Sequence, residues 1–159
     1  MDLKFKTMKK LLIIPAIIGL LVTGVYAADK TKVADKEDEV SYAVLNQFNA
    51  DFSDAKNVKW TVNSNCQKAE FVVDGVKKTA FYNLQGDFLG TTQAVEYKKV
   101  SARAQKEIAN KYKGYVVSSV IEMSNDESTE HFVDLKNDKE ELLVRVSPTS
   151  AVYFFKQVR

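Results

Sequence analysis

Few side chains in this sequence could do chemistry. His131 and Cys66 are its single histidine and single cysteine. Together they could at most form a thiol–imidazole pair, and they cannot supply the Cys/His set of a usual zinc site. His131 falls in an alternating stretch beside Phe132 and reads as a sheet-face residue with no placed acid–base partner. Cys66 follows the turn-forming run Asn63-Ser64-Asn65 and reads as an exposed thiol, open to oxidation or to pairing with a second chain. Asn125-Asp126-Glu127 with Glu130 has a composition that hard cations favour. It lacks the alternating ligands and the glycine of a calcium loop. Lysine interrupts Asp138-Lys139-Glu140-Glu141, and both runs read as solvated hairpin tips. Gly86-Asp87-Phe88-Leu89-Gly90 has two glycines but no helix to receive a phosphate, so it reads as a turn. The sequence therefore predicts no catalytic residues, no metal and no cofactor, and a thiol-dependent enzyme built on Cys66 is the weakest alternative.

The aromatic residues point elsewhere. In alternating strands, neighbours such as Phe81 and Tyr82, or Tyr153 and Phe154, face opposite sides of a sheet, and Phe155 joins Tyr153. Two helices can cover only one side. Some of Tyr82, Tyr153 and Phe155 are thus expected on the open side, where rigid amphipathic rings suit partner binding, against the plainer reading of core packing.

The elements that must position these residues come in two similar series. Val40, Val44, Leu45, Phe48 and Phe52 keep the spacing of one helical face over about Val40 to Asp51. Strands follow at Val58–Val62, Ala69–Val73, Lys77–Asn83 and Phe88–Ala94, with Asp74-Gly75 as a strong hairpin signal. Ser101 caps a second helix carrying Ala104, Ile108 and Tyr112, and Gly114 ends it. Strands then follow at Tyr115–Met123, Glu130–Leu135, Leu142–Val146 and Val152–Val158. Phe48 and Phe52 correspond to Ile108 and Tyr112, and Glu70-Phe71-Val72 to His131-Phe132-Val133. This predicts an α+β fold of two α-β-β-β type repeats, about 40–99 and 100–159, in one antiparallel sheet with helices on one face.

Residues 1–27 read as an export signal. Lys4, Lys6, Lys9 and Lys10 precede the apolar run Leu11–Val22, and Val25-Tyr26-Ala27 fits a cleavage site; Met8 is an alternative start. The run is short for a membrane span, so the membrane would be met only through an uncleaved signal. Residues 28–39 read as a flexible charged leader. Loss of 1–27 leaves 19 basic and 20 acidic residues in place of 23 and 21, so the net charge goes from +2 to −1. Such a near-neutral domain is expected to have no electrostatic footprint for nucleic acid, and no nucleic-acid partner. With one cysteine it has no internal disulfide, and its core must hold the fold.

Phe48…Phe52-Ser53-Asp54-Ala55…Val58-Lys59-Trp60, then Ala80-Phe81-Tyr82-Asn83-Leu84-Gln85-Gly86-Asp87-Phe88, resembles the PepSY-like, beta-lactamase-inhibitor-like family of small exported bacterial proteins. Ile108…Lys111-Tyr112-Lys113-Gly114-Tyr115 resembles the start of that family's second repeat. Where the family usually has prolines, this sequence has Ser53 and Val100-Ser101. The resemblance implies a curved sheet with helices on one side and no catalytic residues. Inhibition of a beta-lactamase is not carried over with the fold. Taken together, the expectation is a periplasmic or secreted, non-catalytic domain that binds a protein or peptide of the cell envelope through its open sheet face or hairpin tips, in an inhibitor-like manner. The alternative is an assembly protein pairing through sheet edges.

Overall fold

A computed structural model describes residues 37–159 of the protein. The expected export signal and residues 28–36 of the leader lie outside the described residues. Glu37–Glu39, the last of the leader, form a 3-10 turn that delivers Val40 into the core. Then come α1 (Tyr42–Asp51) and strands β1 (Lys56–Val62), β2 (Gln67–Val73), β3 (Val76–Tyr82) and β4 (Phe88–Ala94). A second 3-10 turn, Tyr97–Lys99, leads to α2 (Ala102–Lys111), β5 (Val116–Ser124), β6 (Thr129–Lys136), β7 (Glu141–Val146) and β8 (Val152–Gln157). All eight strands form one antiparallel sheet in chain order. The α+β class holds, but four strands follow each helix where an α-β-β-β unit has three. The fourth forms because tight closures at Asn83–Asp87 and Ser147–Ala151 turn the chain straight back onto the sheet. No helix among the described residues is long and apolar enough to cross a membrane.

Both helices start alike. Ser41 Oγ accepts the Val44 N–H at 3.4 Å and Ser101 Oγ accepts the Ala104 N–H at 3.3 Å. These bonds satisfy amides that a helix start leaves orphaned. The residues before the caps, Val40 and Val100, are buried, so each helix is pinned at its entry. Val44 and Phe48 of α1, and Ala104 and Ile108 of α2, face inward one turn apart. Gln67 adds a tether. Its Oε1 accepts the Ser41 N–H at 3.0 Å, and its Nε2 donates to the Asn83 carbonyl at 3.1 Å.

Strand register decides which face is covered. Trp60, Ala69 and Ala80 lie opposite one another and, with Phe71 and Tyr82, pack beneath α1. Val120, Val133 and Val144 align in the same way and pack beneath α2 with Leu135 and Val146. Following the register from Ala80 through Thr91 to Ser124 puts both sets on one side of the sheet. The helices therefore share a face, as side-chain alternation requires. The other face has its own core of Cys66, Phe81, Leu89, Met123, Phe132 and Leu143. No described helix covers it, yet Phe81 is 0% and Phe132 1% exposed. A flat face would leave those rings wet, so the sheet must curl around them, in the direction its natural twist allows. Each ring removed from water contributes about 1.5–3 kcal/mol.

Turn chemistry fixes the register. Asp74 (φ 51°) and Gly75 (φ 78°) supply the two positive φ values of a type I′ hairpin between β2 and β3. Asn63, Asn125 and Asn137 each open a tip by accepting the N–H groups two and three residues on, at 2.8–3.0 Å. This is the local side-chain bond that makes Asn a turn residue.

Candidate functional site

The face away from the helices carries two neighbouring cross-strand rows. One runs Lys59, Glu70, Thr79, Thr92, Met123, Glu130 from β1 to β6. The other runs Ala94, Ile121, Phe132, Arg145, Tyr153 from β4 to β8. The middle of the face is sealed by its own core, so the accessible parts are its two flanks.

On the β6–β8 flank, Arg145 makes a two-pronged bond to Glu130, with Nε to Oε2 at 2.9 Å and Nη2 to Oε1 at 2.5 Å. Glu130 is buried, while a third of the Arg145 side chain reaches solvent. The carboxylate thereby fixes the planar guanidinium in place. Tyr153, opposite Arg145, is 55% exposed. Phe155 is half-buried and meets Phe132 edge-on, with centroids 5.2 Å apart. A register shift makes Phe155 an extra residue in β8, between Phe154 opposite Val144 and Lys156 opposite Leu143. Phe154 is 60% exposed on this edge strand.

Tyr82 requires a correction. It lies opposite Gln67 beneath α1, 6.2 Å from the Trp60 ring and 5.6 Å from Phe88, with no exposed surface. Burial, and to a lesser degree the charge of Asp51, pushes its phenol well above the ordinary range. Alternation separates Phe81 from Tyr82 but does not say which of them faces the helix, and Tyr82 belongs to the core.

On the β1–β4 flank the small side chains of Thr79, Thr92 and Ala94 leave a groove of about 510 Å³. Lys59, Lys77, Glu70 and Ile121 line it as well. Arg145, Lys59 and Lys77 were not among the residues singled out from sequence. Counting the alternation of β7 from Leu143, and of β1 and β3 from Trp60 and Ala80, would have placed them on this face.

Cys66 also departs from expectation, being 1% exposed within the central cluster. Burial pushes its thiol up, outweighing the Asn63 hydrogen bond and the Lys68 charge, so the thiolate is disfavoured. His131 lies on the helix-side face, opposite Glu122 and Val146. Cys66 and His131 are thus on opposite sides of the sheet and form no dyad. Beside His131 is a polar seam that the sequence reading missed. Gln93 Nε2 donates to Glu122 Oε1 at 2.8 Å, and Glu122 Oε2 lies 3.4 Å from His131 Nε2. At the acidic tips, Asn125 and Asn137 are used by their own turns. Among the described residues no group of His, Cys, Asp or Glu could hold a metal ion.

No protein-family model matches the chain, and no curated protein matches it. Solved structures do. A BLIP-like protein from Bacteroides fragilis superposes with TM-score 0.63 at 19% identity, over 74% of this chain and 86% of that one. A DUF2874 family protein from Bacteroides uniformis gives 0.63 at 14% identity, over 76% and 87%. A candidate periplasmic protein from Bacteroides eggerthii gives 0.65 at 14%, over 74% and 87%. At such identities the likeness establishes the fold, which is the one expected from the resemblance.

Proposed function

We propose that this chain is an exported, non-catalytic binding domain that engages a protein or peptide partner of the cell envelope through the helix-free face of its sheet. The observation that carries the reading is the Arg145–Glu130 pair beside exposed Tyr153. A guanidinium held rigid by a buried carboxylate, next to an accessible ring, joins the two residue types that most often dominate binding energy. Neither side chain belongs to one of the three buried apolar clusters. The buried thiol and the lone histidine on the other side of the sheet favour binding over catalysis. The BLIP-like fold of the B. fragilis protein and the periplasmic candidacy of the B. eggerthii protein support an exported, inhibitor-like role. The two halves read as copies of one unit. Their caps, Ser41 and Ser101, and their helix ends, Phe52 and Tyr112, keep a constant spacing.

The test is crosslinking capture from the native envelope by wild type and by Arg145→Ala and Tyr153→Ala variants. The expected result is loss of one specific band in both variants, with melting temperature almost unchanged in Tyr153→Ala and lowered in Arg145→Ala, which leaves the buried Glu130 carboxylate without its partner. Capture that is undiminished in both variants rejects this face as the interface. Assembly through edges is a second reading, favoured by exposed Phe154 on β8; light scattering that shows mass rising with concentration would select it.

A further inference from the structure

We infer that the partner inserts an acidic, extended segment into the groove beside β1 and β3. The inference rests on the reading of the helix-free face given above and narrows it in charge and shape. Lys59 and Lys77 are exposed and line the groove, Lys56 is exposed one strand from its lining residue Val72, and Lys68 is half-buried beside Glu70. Register brings them together, because Lys56 and Lys77 both lie opposite Val72, and Lys59 lies opposite Glu70. Among the described residues that line the groove Glu70 is the one carboxylate, and it is already 3.4 Å from Lys68 Nζ. Neither Lys59 nor Lys77 has a carboxylate partner within ion-pair distance among the described residues. This local excess of positive charge stands out in a domain whose net charge without residues 1–27 is −1.

Shape selects the occupant. The small side chains of Thr79, Thr92 and Ala94 and the apolar Ile121 and Val72 all line the groove, which makes it partly apolar. A segment in extended form alternates its side chains, so apolar residues can meet this lining while intervening carboxylates meet the lysines. Exposed lysines act mainly as steering charges, so binding is expected to be fast and salt-sensitive.

The probe is a short fluorescein-labelled peptide alternating Glu with Val, followed by anisotropy with the full domain at low and high salt. A Lys/Val peptide and a single-stranded DNA of similar length serve as comparisons. The acidic peptide is expected to bind, and to weaken by about tenfold or more both in Lys59→Glu/Lys77→Glu and on adding salt. Should the charge reversal not fold, Lys59→Gln/Lys77→Gln decides in its place. Absence of acidic-peptide binding, equal binding of the Lys/Val peptide, DNA binding as tight, or variants that bind like wild type would each overturn the inference. If envelope capture still depends on Arg145 and Tyr153 while the acidic peptide does not bind, only the charge inference falls.

Discussion

Tyr82 and Tyr153 are the same residue type with opposite fates, and the difference lies in one step of strand register. The alternation of β3 was legible from Ala80-Phe81-Tyr82, but which side met a helix was not, because that depends on contacts with α1, far away in sequence. Cys66 shows the same limit, since its polar neighbours Asn63–Asn65 face water while its own side chain turns into the sheet's curl. Burial has a further effect on the phenols. Tyr82 most strongly, and Tyr97 and Tyr112 as well, are pushed up by burial, and Tyr115 by the hydrogen bond that it donates to Glu140. The folded chain therefore holds these protons more tightly than the unfolded chain, whose phenols titrate near about pH 10. The stability they contribute is fully present below that value and lost as pH rises through the folded values. Urea midpoints are expected to be level up to about pH 9.5 and to fall above it, with the last part of the tyrosinate absorbance appearing only together with unfolding. Full tyrosine ionisation in a still-folded protein would contradict this.

At the scale of elements, the strands and helices were largely readable because periodicity and turn residues agreed. β4 has the bounds expected, and Asp74-Gly75 makes the hairpin its residues announce. The register shifts in β1, β4, β5 and β8 were not readable. A bulge answers to sheet curvature rather than to local propensity. Gly90 is where such a demand is sharpest. Its φ is +141°, and a Cβ there would meet the Ser124 carbonyl oxygen at 2.7 Å. Gly90→Ala is expected to destabilise by more than about 1 kcal/mol, read as a lower urea midpoint, because backbone at the start of the β4–β5 pairing must shift. For comparison, Ser41→Ala and Ser101→Ala should each cost about 1 kcal/mol through loss of the cap alone. A Gly90→Ala protein as stable as wild type would show that the bend there is relaxed at no cost.

For the molecule as a whole, the decisive joint is the pairing of Thr91–Ala94 with Ile121–Ser124, which makes two groups of strands into one sheet. Phe81 and Leu89 on one side of that joint share a core with Phe132 and Leu143 on the other. Neither group can bury this cluster alone, and pieces of about 60 residues have cores that supply no more than about 3–5 kcal/mol. Segments 40–99 and 100–159 expressed separately are expected to give weak or absent cooperative unfolding, and the intact domain a single transition. Two independent melts would mean that each half closes its own core.

The chain-order sheet also has a consequence in time. Each strand hydrogen-bonds only to strands next to it in sequence, from β1 to β8. All but one of these junctions is a short hairpin; the exception is the β4–β5 crossing over α2. The search for partners is therefore local at six junctions, and one long loop has to close. Since folding speed falls as the mean separation of contacts grows, this domain should refold faster than sheet proteins whose first and last strands pair. Closing the β4–β5 joint should be the slow step. In stopped-flow refolding, Gly90→Ala is expected to slow the folding limb rather than only hasten unfolding, whereas Ser41→Ala acts chiefly on unfolding.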